Sequence, residues 1–149
     1  MINRILGVFL FIMLSPFFLI VFLIIYIDDG FPAFYKQKRI GINNSKFLVY
    51  KFRTMRKGVP DIPTHLVKDP KQLYTRSGPI LRKFSIDELP QLINIIRGEM
   101  VFIGPRPALY NQNDLVNLRT EVGIHKLMPG VTGWAQVNGR DELRINEKV

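Results

Sequence analysis

Residues 5–27 carry no charged side chain: ILGVFLFIMLSPFFLIVFLIIYI. As a straight helix these 23 residues reach ~35 Å, more than the ~30 Å hydrocarbon core of a bilayer. A signal peptide fits poorly, because the run is too long and Asp28-Asp29-Gly30 is no small-residue cleavage site. The midpoint is Ser15-Pro16. A mid-helix proline removes one backbone hydrogen bond and clashes with the preceding turn, although the preceding serine can bond a freed carbonyl. The flanking charges are basic at both ends: Arg4 and the terminal amine on one side, Lys36, Lys38 and Arg39 on the other. Positive charge marks the cytoplasmic side of a membrane. Residues 1–29 are therefore expected to form a re-entrant helical hairpin, broken at Ser15-Pro16, rather than a span.

The rest of the chain is basic. Among 149 residues there are 21 Lys plus Arg against 12 Asp plus Glu, a net charge of +9, which points to an anionic partner such as phosphorylated molecules or lipid headgroups. Cysteine is absent, so disulfides, thiol catalysis and Cys-based zinc sites are excluded. His65 and His125 are far apart and read as surface or packing residues.

Residues 30–59 hold eight basic side chains and no acidic one. Within them FYKQKRI (34–40) and FLVYKFRTM (47–55) flank Gly41-Ile42-Asn43-Asn44-Ser45, which predicts a β-hairpin. Its charge suits a headgroup contact or one wall of a phosphate site. Residues 58–79 contain four prolines and predict a loop with one short helix. ILRKFSIDELPQLINIIRG then predicts two helical pieces, with Leu89, Leu92, Ile93 and Ile96 at helical spacing and Gly98 as the C-terminal cap. FIGPRPALY predicts a loop, NQNDLVNLRTEVGIHKL a helix, and MPGVTGWAQVNGR a turn followed by a strand at 134–137. The fold class is α+β: membrane helix hairpin, β-hairpin, then a small, mostly helical catalytic domain over residues 30–149.

Asp87 and Glu88 stand together at the start of a helical piece. Ser85-Ile86-Asp87-Glu88 has the form of a capping box, acidic residues suit a first helical turn, and Pro90 is tolerated there. The chemical reading draws on the neighbours: Arg82 and Lys83 precede the pair, and Arg106 lies between two prolines. Two carboxylates near arginines suit a metal-assisted phosphoryl site, in which one carboxylate attacks phosphorus or both hold Mg²⁺. A helix start supplies N–H groups and a positive end to phosphate oxygens, and this field is expected to keep both carboxylates ionised.

FSIDELPQLINIIRGEMVFIGPRPALY together with MPGVTGWAQVNGR, preceded in order by the Ser-Pro break, FYKQKRIG and KFRTM, resembles the bacterial sugar transferases, the monotopic phosphoglycosyl transferases. The resemblance covers nearly the whole chain. It implies transfer of a sugar 1-phosphate from a UDP-sugar to undecaprenyl phosphate with release of UMP, the step that starts capsule, exopolysaccharide or glycoconjugate assembly. It implies that Asp87 is the nucleophile forming a covalent phosphosugar intermediate. Glu88 assists through Mg²⁺ or as a base, so that the pair also holds the metal. Arg82 and Arg106 bind phosphate, and Gln136, Asn138 and Arg140 shape the nucleotide-sugar side. Trp134 would be buried or interfacial, or would stack on a base. The implied place is the bacterial cytoplasmic membrane, with the catalytic domain on its cytoplasmic face. Two features depart from the family pattern: MINRILG replaces a basic K-R-x-x-D opening, and members continue past the Asn-Gly-Arg motif. The resemblance thus implies a domain lacking its C-terminal part. Two other readings share this composition, a membrane-anchored basic binding module and an inactive truncated remnant. The chain has no recognisable nucleic-acid motif, so nucleic acid is not an expected partner.

Overall fold

The computed structural model describes residues 1–59, 70–139 and 143–149; His65 and Arg140 lie outside them. The fold is α+β. Helix α1 (Ile2–Asp29) leads to strands β1 (Phe34–Ile40) and β2 (Lys46–Phe52). Helix α2 (Gly78–Lys83), a 3-10 helix (Ile86–Gln91) and α3 (Leu92–Arg97) follow. Strand β3 (Val101–Ile103), α4 (Asn113–Glu121), β4 (Gly130–Thr132) and the short α5 (Trp134–Val137) complete the order.

Helix α1 is long and apolar enough to cross a membrane by length and composition. It lies along the domain. Gly7, Val21 and Ile25 are buried, and Leu10, Phe11, Leu14, Phe18 and Phe22 pack between them against the core. The spacing of three and four places this stripe on one helical face. Ile5, Phe9, Ile12, Met13, Ile20, Ile24 and Ile27 stay exposed. The expected break at Ser15-Pro16 does not occur, and one helix runs through Pro16. The reason is local: Ser15 Oγ donates to the Ile12 carbonyl at 2.7 Å, the acceptor that the missing Pro16 N–H leaves free.

Both ends of α1 still meet the same domain. Arg4 donates to the Arg97 carbonyl at 3.3 Å. At the far end Arg53 donates to the Asp29 and Gly30 carbonyls at 2.9 and 2.7 Å. The Asp28 carboxylate accepts from the Ser77 N–H and hydroxyl, each at 2.7 Å.

The predicted β-hairpin forms, in antiparallel register from Phe34↔Phe52 to Ile40↔Lys46. Asn43 and Asn44 take left-handed backbone at φ 52° and 58°, a conformation asparagine tolerates. Two core clusters lie between the hairpin and the helices. Val21, Ile25, Ala33, Phe52 and Leu81 form one, and Val49, Leu92, Ile95 and Met100 form the other.

Strands β3 and β4 pair in parallel, Val101↔Gly130 and Ile103↔Thr132. The main chains approach so closely that a Cβ on Gly130 or Gly133 would collide with the Gly104 backbone. The strand expected at 134–137 is instead this β4, four residues earlier, and Trp134–Val137 is helical. The close approach at Gly133 ends the ladder, and the Asn138 side chain then donates to the Trp134 carbonyl at 2.8 Å, closing a helical turn. The helix expected across 111–127 is also shorter: α4 ends at Glu121, and Gly123 at φ 82° turns the chain into a 3-10 segment at Ile124–Lys126.

Candidate functional site

The chain enters the site from α2, which docks through Leu81 on Val21 and Ile25 of α1. Ser85 then adopts left-handed backbone at φ 56° and redirects the chain into the 3-10 helix. Asp87 and Glu88 fall in its first turn, with Pro90 inside it. The expected capping box is absent, since Ser85 makes no side-chain cap. The Glu88 N–H bonds the Ser85 carbonyl at 3.1 Å, and the Glu88 carboxylate faces away to two cations.

Glu88 Oε1 accepts from Lys51 Nζ at 2.9 Å and from Arg106 Nη2 at 3.2 Å. Lys51 comes from β2 and Arg106 from the loop after β3, so three separated stretches converge on one oxygen. Burial alone would raise the Glu88 pKa, but Lys51 and Arg106 outweigh it and hold the acid at about 2. Burial pulls the Lys51 ammonium below its ordinary value although Glu88 opposes this. The benefit of the pair thus appears on the carboxylate, which accepts from two cations.

Asp87 differs from its neighbour. It is 7% exposed. Burial pushes its pKa up and the charge of Glu88 adds to this, while Lys51 and Arg82 pull it back. The field expected to keep both carboxylates ionised thus acts unequally on the two, lowering Glu88 and leaving Asp87 raised. Glu88 is a fixed, weakly basic anion, and Asp87 is the more basic of the two. Arg82, in the last turn of α2, stacks over the Tyr74 ring at 5.0 Å, with its charge acting on Asp87.

The structure thus gathers Asp87, Glu88, Arg82 and Arg106. It adds Lys51, which sequence reasoning included only as one of eight basic residues. Its available signal was its place in an acid-free strand beside core positions Val49 and Phe52. Gln136 and Asn138 are not drawn to the carboxylates by any hydrogen bond among the described residues. Gln136 Nε2 donates to the Val131 carbonyl at 3.2 Å, and Asn138 caps α5. Trp134 is 61% exposed, so of its expected roles burial within the domain is not the one it takes.

Among the described residues no group of three His, Cys, Asp or Glu side chains gathers to hold a metal. Asp87 and Glu88 are of the chemical type that holds Mg²⁺, which is commonly bound by one or two carboxylates plus substrate phosphates.

The family model for bacterial sugar transferases matches residues 1–149. The Bacillus subtilis sugar transferase EpsL is 40% identical over 144 residues, covering 95% of this chain and 69% of the relative. An undecaprenyl-phosphate glucose phosphotransferase of Komagataeibacter xylinus is 41% identical, covering 92% of this chain and 27% of its own length. The UDP-glucose:undecaprenyl-phosphate glucose-1-phosphate transferase of Escherichia coli is 34% identical, covering 97% and 32%. The chain thus spans about a third or less of these last two relatives.

Proposed function

The chain belongs to the bacterial sugar transferase family, and on that premise we propose that it is a phosphoglycosyl transferase moving a sugar 1-phosphate from a UDP-sugar to undecaprenyl phosphate. The observation that carries this reading is the Glu88 carboxylate bridged by Lys51 and Arg106 beside the buried Asp87. An Asp87 oxygen attacks the sugar-bearing phosphorus of the UDP-sugar. The bond from that phosphorus to the bridging oxygen breaks, and UMP leaves with the electron pair. An oxygen of undecaprenyl phosphate then attacks the same phosphorus and releases the Asp87 carboxylate. The two anionic substrates never have to meet, and Lys51, Arg82 and Arg106 offset charge developing on phosphorus. Glu88, held at about 2, is too weak a base to remove a proton at neutral pH. Its work is to orient the cations and, with Asp87, to hold Mg²⁺. Bound there, Mg²⁺ would supply further charge compensation to the phosphates.

The apolar outer face of α1 supports a membrane seat. Both helix ends hold the same domain, which favours a domain standing on one face of the membrane, here the cytoplasmic one, over two parts divided by a span. The site would then meet the lipid phosphate at the headgroup plane. Incubating the membrane-bound chain with a panel of UDP-sugars, Mg²⁺ and undecaprenyl phosphate should release UMP. Omitting the lipid should leave radiolabelled sugar phosphate bound to the protein, and Asp87→Asn should abolish both signals. Undiminished release by Asp87→Asn refutes the nucleophile. A folded wild-type chain that releases no UMP with any donor refutes the enzyme reading in favour of a membrane-bound module.

A further inference from the structure

The loop carrying Arg106 contains Pro105 and Pro107, which have no N–H to donate, so it is secured mainly through its carbonyls. Four consecutive carbonyls are taken. Pro105 accepts from the Gly130 N–H at 3.0 Å and Ala108 from the Ile40 N–H at 2.9 Å. Pro107 accepts from Arg39 Nη1 at 2.9 Å. Arg106 itself accepts from Arg119 Nη1 at 2.6 Å.

Arg119 is the unusual donor. It lies in the last turn of α4 and is 8% exposed. Burial of a cation is costly, and an apolar side chain of similar length would fill the space without that cost. The C-terminal end of α4 makes a cation tolerable, but tolerance does not explain its presence. Its short bond falls on the main chain of the residue whose guanidinium reaches Glu88 at 3.2 Å. Arg39, bonding the next carbonyl, is braced by Gln37 Oε1 at 3.0 and 2.6 Å, so the loop is clamped on both sides of the Arg106 peptide.

We propose that Arg119 is a positioning residue for phosphoryl transfer: by pinning the Arg106 carbonyl it sets where the Arg106 guanidinium stands beside Glu88. This rests on the reading of Arg106 as part of the phosphate site. The test is a double-mutant cycle on UMP release at varied UDP-sugar, with rates normalised to folded protein. Arg119→Met should lower kcat/KM by roughly tenfold or more, through the same parameter, kcat or KM, that Arg106→Met changes. The double variant should fall no further than Arg106→Met alone, and Arg119→Lys should recover part of the loss. Losses that add in the double variant, or an Arg119→Met rate per folded molecule equal to wild type, overturn the proposal. If Arg119→Met does not fold, Arg119→Lys crossed with Arg106→Lys completes the same cycle: non-additive losses support the proposal, and additive losses or a wild-type rate in Arg119→Lys overturn it. Full activity in Arg106→Met would instead overturn the phosphate-site reading on which the proposal stands.

Discussion

Asn94 is expected to hold the site together from a distance, and removing its side chain tests that directly. Among the described residues the β1–β2 sheet has two strands, and the far edge of β2 has no ladder partner among them. Asn94, fully buried on α3, replaces that partner. Its Nδ2 donates to the Leu48 carbonyl at 2.7 Å and its Oδ1 accepts from the Tyr50 N–H at 3.1 Å. A second Nδ2 bond goes to Glu99 Oε2 at 2.7 Å. Asn94→Ala leaves two backbone groups without their partner, at about 1–1.5 kcal/mol each. The expected total is about 2–3 kcal/mol, a large part of the roughly 5–15 kcal/mol that holds a domain together. Lys51 follows Tyr50 directly, so freeing this edge from α3 also loosens Lys51 from Glu88, and UMP release should drop with stability. Asn94→Asp at neutral pH should be at least as damaging, because it sets a carboxylate against Glu99 and the Leu48 carbonyl. Chemical denaturation in detergent micelles, followed by far-ultraviolet circular dichroism, measures the loss. An Asn94→Ala variant within about 0.5 kcal/mol of wild type would refute the edge-partner argument.

The pH dependence of stability should show Glu88. With a folded pKa of about 2 against 4.5, its contribution of ~3 kcal/mol is complete above 4.5 and disappears as pH falls toward 2. Asp87, shifted upward, works in the opposite sense, and Glu88→Gln should flatten the acid limb of a denaturation-versus-pH curve. Gly130→Ala should cost about 3 kcal/mol or more, since its Cβ collides with the Gly104 backbone. Gly123→Ala, with open space but φ +82°, should cost about 1 kcal/mol, and thermal melting ranks the two. Ser15→Ala should cost about 1 kcal/mol by stripping the Ile12 carbonyl of its donor. Adding Pro16→Ala should restore the loss by returning a backbone N–H to that carbonyl, which a denaturation series on the single and double variants would show.

What is local in sequence is also legible in it. The apolar run and the hairpin around Asn43-Asn44 follow from composition and turn chemistry within a few residues. The helix break at Pro16 is a local rule defeated by an equally local one, the Ser15 hydroxyl. The capping box fails because Ser85 turns left-handed and Glu88 finds stronger partners far along the chain. That pairing is the part no short pattern contains. Lys51 and Glu88 are 37 residues apart, and only the packing of β2 against the 3-10 helix makes them neighbours. Asp87, Glu88, Arg82 and Arg106 are visible as motif residues. Lys51, Arg119 and Asn94 become visible only through contacts. The strand expected at Trp134–Val137 does not form because the glycine crossing at Gly104 and Gly133 has already ended the ladder.

The buried stripe of α1 changes what the helix is to the enzyme. Val21 and Ile25 complete the cluster of Phe52 and Leu81, while Leu10, Phe11 and Leu14 close the one around Val49 and Ile95. A chain trimmed to begin at Gly30 would present both clusters to water, so the catalytic part cannot be made soluble by cutting away its anchor. The helix precedes the hairpin and the dyad segment along the chain, and earlier parts of a chain generally settle first. On the proposed function it would wait in lipid as a ready-made floor on which the hairpin and then the dyad segment are laid down, so that the site would be assembled only at the membrane.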